Sequence, residues 1–306
     1  MKIIYYYQTF IGLDDLINDP NCVVTHIHLS SIHFGVDSNS KPYIHLNDNN
    51  PSDPKFDNLL KDLHRIKGKG IKIILMIGGA GGGYSSFFSD YSVYSEILFN
   101  FINSNKDLID GIDLDIEEPV SLDNTKQLIS DMRKTFGDDF IISLAPIQSS
   151  LMNDEPGMSG FIYKDLYTSQ EGKYIDYFNV QCYDDFSIDA YQQMLKNGYP
   201  ENMINMGMLS GMDLTNILTE IKKIRTIYNL AGIFNWEYYS SPPDGQKNPA
   251  EWSKLINKTI SSENIINENM ENKQAKNLNS NNDNDNNSNL YTFLKNKIKS
   301  LFINLY

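Results

Sequence analysis

Short apolar runs of strand type alternate with longer segments whose apolar residues fall three or four apart, and this rhythm continues to about residue 257. The runs predict strands over 3–8, 23–34, 71–79, 110–117, 140–146, 175–183, 204–209 and 232–237. Between them, Leu214, Ile217, Leu218, Ile221, Ile224 and Tyr228 predict a helix behind an Asp213 cap. Leu128, Ile129, Met132 and Phe136 predict another, stopped by Gly137. Eight such units in this length predict an α/β fold, a closed (β/α)8 TIM barrel rather than an open doubly wound sheet. In a barrel of this kind, chemistry belongs at the C-terminal ends of the strands.

Past about Asn257 the pattern stops. The run Asn279 to Asn289 is almost entirely Asn, Asp and Ser, too polar to bury a core, and predicts a low-complexity disordered linker over 258–289. Leu290, Phe293, Leu294, Ile298, Leu301, Phe302 and Leu305 then return to helical spacing with Lys295, Lys297 and Lys299 among them. An amphipathic helix over 290–306 is expected, docking on its own barrel in preference to a membrane surface or a partner. The expected organisation is therefore a barrel domain over 1–257, a linker and a terminal helix.

Composition narrows the classes of function. Of 306 residues, 41% are hydrophobic, enough for a sizeable core, and no apolar run approaches the ~18 residues that a membrane span needs. The net charge of -13 repels phosphate backbones and anionic lipid, so nucleic acid is not an expected partner. Cys22 and Cys182 fit neither a disulfide framework nor a zinc spacing and read as reduced thiols. The N-terminus shows no secretory signal pattern, which favours a cytoplasmic product or one released by lysis or in a particle over ordinary secretion. A monomer is expected.

The chemistry concentrates in Asp110-Gly111-Ile112-Asp113-Leu114-Asp115-Ile116-Glu117, where acids alternate with aliphatics. On a strand, Asp113, Asp115 and Glu117 share one face, stepped by ~6.6 Å, while Ile112, Leu114 and Ile116 share the other. In a barrel the acidic face points into the lumen, and like charges there raise one another's pKa until one proton is retained. Glu117, last in the row, is the natural general acid, with Asp115 as its charged partner. A calcium loop would want glycine and polar spacers, and the spacers here are Leu and Ile, so no metal is expected. His26 and His28 share a strand face but lack a third ligand nearby, and read as barrel histidines. The Gly78 to Gly83 run lacks the Lys-Ser/Thr of a phosphate loop and reads as a loop that lets a sugar approach closely.

This octad resembles the D-G-x-D-x-D-x-E hallmark of glycoside hydrolase family 18, the family of chitinases and certain endo-β-N-acetylglucosaminidases. Four further stretches resemble its strand-end motifs: Leu75-Met76-Ile77-Gly78-Gly79, Leu144-Ala145-Pro146, Asn179-Val180-Gln181-Cys182-Tyr183-Asp184 and Asn235-Trp236-Glu237-Tyr238. The resemblance implies an endo-acting retaining glycosidase without a cofactor, cleaving β-1,4 linkages of N-acetylglucosamine in chitin or chitooligosaccharides by substrate-assisted catalysis. It implies Glu117 as acid, Asp115 orienting the substrate acetamido group, Asp113 tuning Asp115, and Tyr183 hydrogen-bonding the acetamido group. Gln181, Trp236, Tyr6, Asp184, Gly78 and Gly79 would line the substrate site, with the Trp236 indole as its floor. Tyr6 is the least fixed of these, because Tyr5 and Tyr7 offer the other register.

Two departures bear on chemistry. Met76 stands where the family box has Ser, so Asp113 is expected to hold its proton more tightly or to take another donor such as Tyr6. Only about twenty residues separate the last two strands, too few for the α+β insertion that walls a deep cleft in many members, so the groove should be shallow and open. The excursion 148–174 is the loop best placed to shape substrate choice. Two other readings remain: an endo-β-N-acetylglucosaminidase acting on the chitobiose core of N-glycans, and a chitin-binding lectin on the same barrel. Retention of Glu117 with Asp115 favours an enzyme over a lectin.

Overall fold

The computed structural model of the protein describes residues 1–261. Its strands are β1 (Lys2–Tyr7), β2 (His26–Val36), β3 (Pro42–Leu46), β4 (Lys72–Gly78), β5 (Gly111–Asp115), β6 (Ile141–Leu144), β7 (Tyr177–Gln181), β8 (Ile204–Leu209) and β9 (Gly232–Trp236). Pairing runs β1-β2-β4-β5-β6-β7-β8-β9 and returns from β9 to β1, all parallel, which closes a barrel of the eight expected strands. The ninth, β3, was not foreseen. It folds back antiparallel on the extended end of β2 through a turn in which the Asp37 carboxylate accepts from Asn39 N and Lys41 N. The turn residues 37–41 are the one sequence signal of it, and the alternation of Ile44 and Leu46 alone is too short to mark a strand.

Helices cover the outer face of the barrel. The helix Leu122–Phe136 starts where Ser121 Oγ accepts from Asn124 N and ends at Gly137, as the spacing predicts. Its Leu128, Ile129 and Met132 join the same buried cluster as Ile112 and Leu114, the aliphatic face of β5. Leu214–Ile227 starts at Asp213, whose side chain accepts from Asn216 N, and this helix alone fills the connection from β8 to β9, with no inserted domain. A last helix over 250–261 buries Trp252, Ile256 and Ile260 at three- and four-residue spacing. The predicted domain boundary at 257 thus falls inside a helix whose apolar face carries on through Ile260. The remainder of the expected linker and the expected helix over 290–306 lie outside the described residues.

Arg133 ties the outer layer together. Its guanidinium donates to the carbonyls of Gly137, Asp138, Phe140 and Tyr174 at 2.7–2.9 Å and to Asp176 Oδ2 at 3.2 Å. The two cysteines are free thiols, and burial pushes that of Cys182 up to about 12.

The lumen has its own small core of Ile4, Tyr6, Met76 and Phe234, with Tyr183 and Trp236 packed on it. This fixes the register of β1. Tyr6 faces inward, while Tyr5 packs on Trp252 and Tyr238, and Tyr7 on Phe10 and Tyr238.

Candidate active site

The period-two pattern of β5 places Asp113 and Asp115 side by side on the lumen face, both buried, with the half-buried Glu117 just past the strand end. At the bottom of the row, Asp113 is saturated with donors. Tyr6 Oη donates to its Oδ2 at 2.6 Å, and Ser143 Oγ and Asn179 Nδ2 donate to its Oδ1 at 2.6 and 3.2 Å. Asn179 also donates to Tyr6 Oη at 3.0 Å and accepts from Asn205, so the network spans β1, β5, β6, β7 and β8. His28 Nδ1 lies 3.3 Å from Asp113 Oδ2 but outside hydrogen-bond geometry.

These partners decide the state of Asp113. Burial alone would raise its pKa, but the His28 charge and the Ser143 and Tyr6 hydrogen bonds outweigh it and hold the carboxyl below its ordinary value. Of the two outcomes expected from the missing hydroxyl at Met76, the structure shows the second: Asp113 takes Tyr6 as another donor, and its carboxyl is held down rather than gripping its proton. Parallel pairing sets Met76 on one side of Asp113 and Ser143 on the other, and the hydroxyl absent from β4 is supplied from β6.

Asp115 is the opposite case. Burial, then the charges of Glu117 and Asp113, push its pKa well above the carboxylate range, against a smaller opposing effect from the Gln181 amide. Gln181 Nε2 stands 3.1 Å from Asp115 Oδ1, 3.3 Å from Glu117 Oε1 and 3.0 Å from the Ala145 carbonyl. One amide thus joins the middle and last acids of the row to the end of β6. It also turns Glu117 toward the site rather than toward bulk water.

Beside the acids lies an aromatic floor. The Trp236 ring sits 5.3 Å from that of Tyr6, with Tyr183 against Phe234 at 6.3 Å. The Tyr183 hydroxyl makes no hydrogen bond to protein among the described residues, and burial with the charges of Asp115 and Glu117 raises its pKa strongly. Gly78 pairs with Asp115 across β4 and β5 with a φ of 87°, and a Cβ there would come within 2.4 Å of the Asp115 carbonyl and of the Tyr84 ring. Gly79 donates its N–H to that same carbonyl at 2.9 Å. The exposed Asp184 stands apart from the acid row, at the rim of a neighbouring cleft.

Two clefts flank this centre. Glu117 follows β5 and Trp236 ends β9, on opposite sides of the barrel. One cleft, about 600 Å³, lies at the ends of β1, β2 and β4 and is lined by Gln8, Thr9, His33, Asn47, Asp48 and the glycine loop 81–83, among others. The other, about 310 Å³, lies beyond β6 and β7, between Gln148, Met152, Gln181, Tyr183 and Asp184. The first occupies one side of the line from Glu117 to Trp236, and the second occupies the other. Sequence reasoning did not place His33, Asn47 or Asp48 beside the site: His33 lies on the foreseen strand 23–34 but faces the hairpin, and Asn47 and Asp48 follow the unforeseen β3. Nor did it single out Ser143 or Asn179, whose alternation with outward Ile142 and Val180 was the available signal. Among the described residues, no group of three His, Cys, Asp or Glu side chains could hold a metal ion.

A parallel eight-stranded barrel with an acid row rising to its C-terminal mouth defines a TIM barrel with its acids where such barrels carry their chemistry. The chain belongs to glycosyl hydrolases family 18, whose family model matches residues 2–296, and is a glycoside hydrolase. A fungal endo-beta-N-acetylglucosaminidase of the same family is 29% identical, with a TM-score of 0.76 over 85% of this chain and 97% of that one. The chitinase ChiC from Aspergillus fumigatus is 26% identical, with a TM-score of 0.71 over 85% and 99% of the two chains. Chitinase 2 of Rhizopus oligosporus is 26% identical over 166 residues, which make up 47% of this chain and only 28% of that relative.

Proposed function

We propose that the protein is an endo-acting retaining glycosidase that hydrolyses β-1,4 linkages of N-acetylglucosamine polymers, chitin or chitooligosaccharides, with the substrate's own acetamido group as nucleophile. The observation that carries this reading is the buried Asp115, its carboxyl pushed far up, joined to Glu117 through the single Gln181 amide. The raised Asp115 carboxyl favours keeping a proton in the acid row, where the adjoining Glu117 can pass one to a leaving group.

Glu117 delivers that proton to the bridging oxygen as the bond from C1 to that oxygen breaks. The acetamido carbonyl oxygen closes onto C1 from the opposite face and forms a cyclic oxazolinium ion. Asp115 accepts the acetamido N–H and, with ionised Asp113 beneath it, stabilises the positive charge. The free Tyr183 hydroxyl is suited to donate to the acetamido oxygen and hold it in line. Trp236 offers its ring to the C–H face of the sugar. Water, deprotonated by Glu117, then opens the oxazolinium at C1, and two inversions give net retention.

Clefts on both sides of the Glu117–Trp236 line suit a chain that continues past the site in both directions, as endo cleavage requires. The same linkage joins the two core sugars of N-glycans. The fungal endo-beta-N-acetylglucosaminidase among the structural relatives favours that as the second reading. A lectin role fits less well, since binding alone has no use for a buried carboxyl with a raised pKa beside a second acid.

Proton NMR of freshly cleaved chitohexaose tests the mechanism: the new reducing end should appear first as the β anomer. An initial α product would require direct attack by water and remove the acetamido route. A high-mannose glycopeptide run in parallel separates the two substrate readings.

A further inference from the structure

The loop 79–83 between β4 and the helix Tyr84–Ser89 walls the larger cleft with little more than backbone. Gly79, Gly81, Gly82 and Gly83 all have positive φ, a conformation glycine enters freely and leaves as freely. Such a wall keeps its shape only if something outside it holds it. Two side chains do.

Glu118 follows Glu117 directly. Its carboxylate accepts from Tyr84 N at 2.6 Å, from Ser85 N at 3.3 Å and from the Ser85 hydroxyl, so it caps the helix that ends the loop. The cap is tight against the loop, since a Cβ on Gly82 would come within 2.9 Å of Glu118 Oε1. From the hairpin side, His33 Nδ1 donates to the Gly82 carbonyl at 2.8 Å, and its Nε2 accepts from Ser31 Oγ at 2.8 Å. Tyr84, buried and bonded through its hydroxyl to the Ile77 carbonyl at 2.9 Å, anchors the far end.

We propose that Glu118, assisted by His33, is a positioning residue that preorganises the glycine loop as the wall of a saccharide subsite in the larger cleft. This rests on the glycosidase reading of the same groove. The polar lining by Gln8, Thr9, Asn47 and Asp48 suits the hydroxyls of a sugar chain, and the bare loop lets the chain approach the backbone. A loop already fixed does not have to be ordered when the chain binds, so the clamp lowers the cost of seating the outer sugars. It has no part in the bond-breaking step, which belongs to the neighbouring residue.

Glu118→Ala and Glu118→Gln in the full chain test this on an aryl β-chitobioside and the corresponding chitotetraoside, which differ in the sugars that reach the cleft. Glu118→Ala should raise KM for the tetraoside about tenfold while kcat falls less than about twofold, the loss expected for one or two charge-assisted hydrogen bonds. The chitobioside should be affected far less, and Glu118→Gln, which keeps one acceptor oxygen, should fall between Ala and wild type. Hydrogen exchange of the amides from Gly82 to Ser85 should quicken in Glu118→Ala. Equal losses on both substrates, an unchanged KM or unchanged exchange would each overturn the proposal. If the wild type cleaves neither glycoside, the glycosidase reading fails separately. Chitotetraose titrated calorimetrically into wild type and Glu118→Ala, with the exchange data, then decides the clamp.

Discussion

Ser143 Oγ donates to Asp113 Oδ1 at 2.6 Å from the strand on the far side of Asp113 from Met76. The lowest acid of the row thus has a hydroxyl partner on β6, where its β4 neighbour Met76 offers none. In the mechanism proposed above, ionised Asp113 would place negative charge beneath the developing oxazolinium, so whatever keeps it ionised would matter to rate as well as to architecture.

Ser143→Ala should raise the Asp113 pKa, because the lost bond favours the charged form. As pH falls, Asp113 then takes a proton sooner, and the acid limb of the kcat/KM profile should move to higher pH. Adding Met76→Ser should move it part of the way back, at a cost of about 2 kcal/mol in stability from truncating a fully buried side chain. An unmoved acid limb in Ser143→Ala would show that this bond does not set the charge on Asp113.

Asp115 should be a stability liability. Its folded pKa is raised, so the folded state pays for ionisation as pH rises above the unfolded value near 3.8, and the penalty is complete only once the folded carboxyl also ionises. Asp115→Asn removes the titration and keeps an oxygen for Gln181. At pH 7 it should unfold at higher denaturant, by about 1 kcal/mol, while losing most activity. At pH 3 the difference should vanish. Equal gains at both pH values would assign the effect to packing.

Barrel closure, eight of the strands, two helix caps and the acid row were all legible in the sequence, since each rests on local spacing: period two along 110–117, or Asp213 three residues before Asn216 N. The β3 hairpin was not, because its buried positions are only Ile44 and Leu46 on an otherwise polar, half-covered strand. The direction of the Asp113 shift was not either. It depends on side chains from β1, β2 and β6 that meet only when the barrel closes, and no spacing along β5 reports on them. Tyr6 was assigned to the lumen with Tyr5 and Tyr7 as the rival register. The rings of Trp252 and Tyr238, distant in sequence, settle which face is inward.

Arg133 carries a stability test away from the chemistry. Lysine keeps its charge but cannot reach four carbonyls and Asp176 together, so Arg133→Lys should lower unfolding free energy by about 2–4 kcal/mol. Turnover per folded molecule should be unchanged below the transition. A variant as stable as wild type in a urea titration would show that the network contributes little.

Turnover of chitohexaose by wild type and by Glu117→Gln, with binding of the same oligosaccharide followed by calorimetry, bears most directly on the chemistry. Glutamine keeps the size of the side chain and an oxygen for the Gln181 amide, and it removes the proton. The expected result is a loss of about a thousandfold in kcat with the oligosaccharide still bound, the scale of a missing general acid. Turnover at the wild-type rate by Glu117→Gln would contradict it.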